Sequence, residues 1–192
     1  EHLTNYYKKF GIGRYPTSIM IPAREGFLPH HTQFTSRDKV SSCYGYGVTL
    51  SALQIAQAYS VFANDGNFIE LKLFTEHSFD KPMKERVISE ETNQIILKML
   101  VETVNSKSGT ASKARINNMI VAGKTGTAKE TLAEETTYTG TFAGFVPSKD
   151  PEFLAVVVLH GLSGEDYSGG KVSAPVFSNI MQQIFLSKDL KI

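Results

Sequence analysis

The chain has 192 residues, of which 41% are hydrophobic, and it carries 20 Lys and Arg against 19 Asp and Glu, for a formal net charge of +1. This length and composition can bury a substantial core, and we expect residues 1–192 to belong to one domain without an internal boundary. The balanced charge excludes the strong positive field that recruits nucleic acid. No run reaches the roughly 18 apolar residues that span a bilayer, and a single cysteine excludes an internal disulfide.

The first forty residues predict one short helix followed by an irregular segment. The helix covers residues 3–10, because Gly11 and Gly13 follow its cationic last turn and glycine is a common helix stop. Residues 14–40 contain prolines and little periodicity, which predicts a long loop with one brief strand at 18–21. The chain opens on Glu rather than Met, so we expect it to be a piece of a longer polypeptide.

Several side chains in this region resemble reactive groups, and we assign none of them to chemistry. Ser36 and Lys39 match the pattern Ser-x-x-Lys literally. A serine nucleophile needs a buried helix start, however, and we place both residues in a polar, proline-bounded loop. A metal or base role for the adjacent histidines His30 and His31 would require a carboxylate or hydroxyl that their spacing does not identify, so we expect both at the surface. No histidine-paired signature accompanies Cys43, which predicts a small packed thiol.

Two helices with recognisable ends come next. Ser51 and Gln54 form a capping box, and the stop at Asn64-Asp65-Gly66 ends the helix that follows. Its expected core face comprises Ala52, Ile55, Ala56, Tyr59, Phe62 and Ala63. The second helix is capped by Ser89 and runs to about residue 105. Its expected apolar face comprises Ile95, Ile96, Met99, Leu100 and Val104.

Three strands are predicted at 119–127, 140–146 and 153–159. The six-residue turn between the last two implies that they are antiparallel neighbours. The third strand is apolar without alternation, so we expect it to be covered on both faces. The polar segment 129–137 is predicted to be a mobile loop.

The glycines at 161, 164, 169 and 170 predict a flexible link to a last helix, capped by Ser173. The apolar face of this helix comprises Phe177, Ile180, Met181, Ile184 and Phe185. Together these elements predict an α+β fold in which an antiparallel sheet is flanked by helices.

The tripeptide Lys124-Thr125-Gly126 is one of three sequence marks of the penicillin-interacting serine enzymes. A given tripeptide occurs by chance in roughly one chain in twenty of this length, so the match indicates a family only if the surrounding sequence supports it. Five further motifs stand around it in a fixed order: Phe10-Gly11-Ile12-Gly13, Gly45-Tyr46-Gly47, Leu53 to Tyr59, Thr141 to Pro147 and Gly169 to Phe177. With these motifs the chain resembles the class B penicillin-binding proteins, and within them the division-specific peptidoglycan D,D-transpeptidases.

The resemblance implies the penicillin-binding transpeptidase fold and a serine acyl-enzyme mechanism. A serine attacks the penultimate D-alanine carbonyl of a stem peptide ending in D-Ala-D-Ala, and an amine from a second stem resolves the acyl-enzyme in septal cell-wall synthesis. Further implied partners are β-lactam antibiotics and division proteins, with no cofactor or metal. The implied location is the bacterial cell envelope, on the periplasmic face of the inner membrane, with an anchor outside this chain.

The resemblance also assigns roles to individual residues. Lys124 and the hydroxyls of Thr125 and Thr127 would hold the substrate carboxylate, and the backbone N–H of Thr127 would be an oxyanion-hole donor. Gly126 would let a substrate backbone approach the strand edge. Tyr167 resembles an aromatic that lines the site in relatives, and a plain surface tyrosine fits the spacing equally well.

One mark of the family is missing, because no Ser-x-Asn occurs in the sequence. We therefore expect the chain to be the C-terminal half of a transpeptidase domain, inactive by itself, with the nucleophile on the N-terminal half. A β-lactamase or a penicillin-sensing receptor domain would share the strand motif and differ in the fate of the acyl-enzyme. A non-catalytic scaffold or binding module is the alternative of a different class.

Overall fold

The computed structural model describes residues 2–13, 26–71, 84–132 and 135–189. The chain forms two compact units, residues 1–90 and 91–192, and each is described by itself. Among the described residues, no helix combines the length and apolarity that crossing a membrane requires. The predicted strand at 18–21 lies outside the described residues, and the absence of an internal domain boundary stays a prediction.

The first unit is mainly helical. Its elements are α1 (His2–Lys9), a 3-10 turn at His31–Gln33, α2 (Ser36–Ser42), α3 (Ala52–Ala63) and two short antiparallel strands, β1 (Asn67–Ile69) and β2 (Lys84–Arg86). The glycine stop after α1 is confirmed, since Gly11 and Gly13 adopt φ values of +81° and +72°, which a residue with a Cβ adopts only under strain.

The loop predicted around Ser36 is wrong, because Ser36 is the first residue of α2. The Thr35 hydroxyl accepts a hydrogen bond from the Asp38 N–H at 3.2 Å, and the Asp38 carboxylate accepts from the Thr35 N–H at 3.0 Å. This reciprocal cap starts the helix, and its hydrogen bonds lower the pKa of Asp38. Ser36 and Lys39 are nevertheless both exposed. Cys43 is exposed too, so the packed thiol expected there is a second wrong prediction.

Helix α3 begins as predicted, and its buried face differs from the expected one. Ser51 is the N-cap, with both hydrogen bonds of the capping box present. The residues that α3 buries are Gln54, Gln57 and Val61, whereas Ala52 is exposed. Gln57 points inward because its amide donates to the Ile69 carbonyl at 2.6 Å and accepts from the Leu71 N–H at 3.0 Å. A polar side chain is buried where it satisfies the backbone of an extended segment.

The second unit packs helices on a three-stranded antiparallel sheet with the strand order β3-β4-β5. Its elements are α4 (Glu90–Asn105), a 3-10 turn at Ser112–Ala114, β3 (Ala122–Leu132), β4 (Glu135–Val146), β5 (Phe153–Leu162) and α5 (Gly169–Asp189). In the register, Lys124 lies opposite Ala143 and Gly126 opposite Thr141. The predicted α+β class is confirmed by this arrangement.

The core of this unit lies between the sheet and α5. Phe142 of β4 and Phe177 of α5 are fully buried, with ring centroids 4.8 Å apart. The other buried core residues are Val104, Ala111, Ala114, Ile116, Val121, Val146, Val157, Ala174 and Met181. The predicted face of α4 is only partly right: Leu100 and Val104 are buried, whereas Ile95 and Met99 are 49% and 61% exposed.

The structure corrects three further predictions in this unit. Strand β5 is mostly half-buried rather than covered on both faces, because it lies at one end of the described sheet and β4 takes the centre. The predicted mobile loop 129–137 is instead largely paired, since the register of β3 with β4 continues to Leu132 and Glu135. Helix α5 begins at Gly169, four residues before the predicted cap. Ser173 is buried, and its hydroxyl donates to the Gly140 carbonyl at 2.9 Å.

Candidate active site

The candidate site lies on β3, where the strand changes from buried to exposed. Val121, Ala122 and Gly123 are buried, and Lys124 is the first exposed residue of the strand. From Lys124 to Thr131 every residue is exposed except Thr125, which is half-buried. The Lys-Thr-Gly motif therefore begins at the boundary between the packed and the open part of the strand.

Two hydrogen bonds show which backbone groups of β3 face away from β4. The Asn105 side chain donates to the Val121 carbonyl at 2.8 Å, and the Thr103 hydroxyl donates to the Gly123 carbonyl. Both donors belong to α4, which lies on the side of β3 away from its partner strand. Because the direction of the backbone groups alternates along a strand, the N–H and C=O groups of Thr125 and Thr127 face the same side. In the described structure, no strand pairs with this outer side of β3.

The side chains of the motif divide between the two faces of the sheet. Thr127 lies on the face of α5, and its hydroxyl accepts a hydrogen bond from the Gly169 N–H at 3.2 Å. Thr125 shares that face, with its hydroxyl 3.5 Å from that of Thr110. Lys124 starts on the opposite face and bends over the edge, where its Nζ donates to the Thr125 carbonyl at 3.0 Å and lies 3.5 Å from the Thr125 hydroxyl. The structure thus brings one cation and one hydroxyl together where the open edge begins.

Gly126 differs from the other glycines near the site because the fold itself does not require it. A Cβ added at Gly126 would contact one neighbour, the Thr141 Cβ, at an ordinary distance of 3.5 Å. At Gly123 the same atom would lie 2.5 Å from the Phe142 ring, and at Gly169 it would run into the Thr141 and Gly126 carbonyls. The packing of this chain explains Gly123 and Gly169, and it leaves free space beside Gly126.

Tyr167 is half-buried and stacks on Tyr138 of β4, with ring centroids 3.8 Å apart and an angle of 14° between the rings. Its carbonyl lies 3.2 Å from where a Cβ of Gly140 would be, and Gly140 is opposite Thr127 in the register. The backbone of Tyr167 is therefore close to the motif. The sequence assigned Tyr138 no role, and this residue falls between the predicted loop 129–137 and the strand predicted at 140–146.

An exposed ion pair joins α5 to the segment that leads into it. The Lys171 ammonium lies 2.8 Å from the Asp166 carboxylate. Hydrogen bonding within the pair lowers the pKa of Asp166 and raises that of Lys171. Both groups lie in solvent, so the pair contributes little to stability.

The arrangement is suited to holding an anionic chain end beside a strand edge. It offers an exposed ammonium group, hydroxyl groups and outward backbone N–H groups. Within the described ranges, no group of three or more His, Cys, Asp or Glu side chains is arranged to hold a metal ion. The sequence predicted roles for Lys124, Thr125, Gly126 and Thr127, and it held no local signal for Thr103, Asn105 and Thr110.

Comparisons with known proteins identify the family. A family model described as the penicillin-binding protein transpeptidase domain matches residues 1–182. The peptidoglycan D,D-transpeptidase FtsI of Buchnera aphidicola (subspecies Schizaphis graminum) is 34% identical over 100% of this chain and 34% of its own length. FtsI of Escherichia coli K12 is 30% identical over 98% of the chain and 32% of its own length. The chain thus spans about a third of the length of these curated relatives.

A solved structure shows the same fold. The apo transpeptidase domain of Burkholderia pseudomallei penicillin-binding protein 3 superposes with a TM-score of 0.85 at 29% identity, over 99% of this chain and 57% of that one. The resemblance inferred from the six motifs is confirmed. By the family model that covers nearly all of it, the chain belongs to the penicillin-binding protein transpeptidase domain family.

Proposed function

We propose that this chain forms the Lys-Thr-Gly wall of the active site in a peptidoglycan D,D-transpeptidase. The observation that carries the proposal is the meeting of the Lys124 ammonium and the Thr125 hydroxyl, 3.5 Å apart, at the start of an open strand edge. A peptide chain that ends in a carboxylate finds a counter-charge, a hydroxyl donor and a strand to pair with in one place. The names of the FtsI relatives support the same reaction.

In the proposed reaction this wall holds the acyl donor while a serine from outside these 192 residues attacks. Lys124 and the hydroxyls of Thr125 and Thr127 bind the terminal carboxylate of a D-Ala-D-Ala stem. The serine oxygen bonds to the penultimate carbonyl carbon, the C–N bond to the last D-alanine breaks, and the departing amine takes the proton. The amine of a second stem then displaces the serine and forms the cross-link.

The backbone N–H of Thr127 is the proposed oxyanion donor of this wall. This N–H group points away from β4, on the same side as the carbonyl groups of Val121 and Gly123, because the direction of the backbone groups alternates along the strand. Removing one donor of this kind costs about 3 kcal/mol of transition-state stabilisation in comparable enzymes. The free space beside Gly126 leaves room for the substrate next to that donor. Tyr167 stacks on Tyr138 of β4, and its carbonyl lies beside Gly140, opposite Thr127; it is proposed as a substrate-lining residue on the α5 face of the strand.

The wider setting is also part of the proposal. We place the 192 residues in the C-terminal portion of one transpeptidase domain, because they carry the Lys-Thr-Gly motif without a Ser-x-Asn and cover 57% of the B. pseudomallei chain. The N-terminal part of that domain would supply the serine. The names of the relatives indicate that the protein acts on peptidoglycan. From the motif resemblance we place it in the cell envelope, on the periplasmic face of the inner membrane, in septal wall synthesis. Its further partners would be division proteins and β-lactams, and its membrane anchor would lie outside this chain.

A matched pair of lysine variants tests the role of Lys124 in the full-length protein. Lys124→Ala is expected to slow labelling by a fluorescent penicillin roughly ten- to hundredfold, because a charge-assisted hydrogen bond contributes about 1.5–3 kcal/mol. Lys129→Ala removes a second exposed lysine from the same strand and should label at nearly the wild-type rate. Both variants should keep the wild-type melting temperature, since both side chains lie in solvent.

Four results would count against the proposal. Wild-type labelling by Lys124→Ala would remove the role given to this residue. Rapid hydrolysis of the penicillin adduct by the unmodified protein would favour a β-lactamase, and a stable adduct without D-alanine release from a stem peptide would favour a penicillin sensor. Absence of labelling in the full-length protein would favour a non-catalytic scaffold.

A further inference from the structure

We propose that the last turn of α4 is a stop that restricts this site to the ends of peptide chains, with Thr103 and Asn105 as the specificity-determining residues. The inference rests on the proposed function and adds a physical reason for its substrate class. The reason lies in the part of the β3 edge that α4 already occupies.

The outward side of β3 is divided into a closed and an open part. The Val121 carbonyl is taken by Asn105 and the Gly123 carbonyl by Thr103. A peptide added to the edge would have to lie about 4.8 Å from β3 and use those same groups. Since side chains of α4 reach them directly, the helix occupies the space that such a strand would need. From Thr125 to Thr131 the strand is half-buried or exposed, and the Thr125 carbonyl accepts from the exposed Lys124 side chain of the same strand rather than from the helix.

The stop is firmly anchored. Val104, between the two donor residues, is fully buried in the core of the unit. The Thr103 carbonyl accepts from the Ala111 N–H at 2.9 Å, and the Val104 carbonyl accepts from the Arg115 guanidinium at 2.8 Å. Moving the turn away from β3 would break these hydrogen bonds and open the core. The free-energy cost therefore opposes displacement of the turn by a longer peptide.

The position of the cation fixes the direction of a bound peptide. Lys124 stands next to the closed part of the edge, and the carboxylate of the peptide must lie beside it. The peptide then runs antiparallel to β3, with its C-terminus at Thr125 and earlier residues toward Thr131. A residue added after the terminus would have to enter the space in front of Gly123, which Thr103 occupies. The site accepts a chain end and rejects a chain that continues.

This explanation differs from charge recognition alone. If Lys124 were the sole source of specificity, removing the terminal charge and extending the chain would impair a substrate equally. A steric stop adds a further penalty for extension that does not depend on the charge. Three donor peptides separate the two effects: one ending in D-Ala-D-Ala, the same peptide with a C-terminal amide, and the same peptide extended by one glycine.

The experiment measures release of the leaving group by the full-length protein. The three products are D-alanine, D-alaninamide and D-alanylglycine. We expect the amide to react about ten- to hundredfold more slowly than the free acid, and the extended peptide at least tenfold more slowly than the amide. In Lys124→Ala the difference between acid and amide should nearly vanish, while the difference between amide and extended peptide should persist.

Substitutions in α4 test the two residues themselves. Replacing both Thr103 and Asn105 by alanine should lower the ratio of the reaction rates of the amide and the extended peptide at least threefold. The reason is that the outward carbonyl groups of Val121 and Gly123 become available to the peptide. Ser187→Ala is the matched control, since it removes an exposed hydroxyl that bonds a carbonyl of its own helix in α5. Thr103→Ser keeps the hydroxyl, so its ratio of the reaction rates of the amide and the extended peptide should equal that of the protein with Thr103.

The outcomes separate this inference from the function on which it rests. If the unmodified protein releases D-alanine but handles the extended peptide as well as the amide, the stop is refuted and the proposed function stands. An unchanged gap in the double alanine variant would refute the roles of Thr103 and Asn105. If no donor reacts and no penicillin binds, the proposed function fails and the inference fails with it.

Discussion

Alanine substitutions at Gly126 and Gly169 should separate catalysis from folding within one short stretch of the sheet. A Cβ at Gly169 would overlap the Thr141 and Gly126 carbonyls, and both belong to the paired backbone of β3 and β4. Overpacking of this kind costs about 1–3 kcal/mol, and the better helix propensity of alanine returns at most about 1 kcal/mol. We therefore expect Gly169→Ala to lower the free energy of unfolding by about 1–2 kcal/mol. For a domain of 150–250 residues this corresponds to a fall of roughly 2–8 °C in melting temperature.

At Gly126 the same substitution should have the opposite profile. The added methyl group meets one atom at 3.5 Å, and alanine is favoured over glycine in a strand by about 0.5–1 kcal/mol. Stability should be unchanged or slightly raised. Acylation should fall about tenfold or more, because the methyl group enters the space proposed for the substrate and small misplacements at a reacting centre are expensive.

The assay pairs thermal unfolding with time-resolved labelling by a fluorescent penicillin, on the full-length protein and both variants. The reasoning would be refuted if Gly126→Ala labelled at the wild-type rate, because the free space beside that residue would then have no connection with substrate binding. It would also fail if Gly126→Ala lost as much stability as Gly169→Ala, since the packing argument would then be wrong.

Two further predictions concern the first unit. Burial raises the pKa of Tyr59 to about 12, so between about pH 10 and 12 the native state keeps a proton that the unfolded state has lost. The free energy of unfolding should therefore fall as the pH rises through that window, and it should fall less steeply in Tyr59→Phe. Urea unfolding at a series of pH values measures both slopes. Ser36→Ala should leave penicillin labelling within twofold of wild type, because Ser36 and Lys39 are exposed and no hydrogen bond joins their side chains in the described structure; loss of labelling would identify Ser36 as the nucleophile.

Sequence patterns located the elements whose signals are local. The cap of α3 depends on Ser51 and Gln54, three residues apart, and both of its hydrogen bonds are present. The start of α4 and the antiparallel pairing of β4 with β5 were also predicted from neighbouring residues. The family was predicted for a similar reason, since its motifs are short and occur in a fixed order along the chain.

The predictions that failed depend on partners distant in sequence. Ser173 looks like a helix cap, yet the structure places it inside α5, where its hydroxyl meets a carbonyl 33 residues earlier. Gln57 has the composition of a surface residue and is buried because it satisfies the backbone after α3. The segment 129–137 is polar enough to suggest a loop, but threonines on both strands favour pairing once β3 and β4 are aligned.

The active-site strand combines both kinds of information. Its residue types are local, and they sufficed to predict a carboxylate site at Lys124, Thr125, Gly126 and Thr127. The boundary between the closed and the open part of the β3 edge depends on residues distant in sequence. The closed part is made by side chains of α4, about twenty residues earlier in the chain. A Lys-Thr-Gly sequence on a fully open edge would let a peptide slide along the strand. In the proposed binding mode, the same sequence beside an anchored helix end fixes the register, since the peptide terminus advances no further than Thr125. On this view the motif supplies the charge and the hydrogen bonds, and the fold supplies the position at which they act.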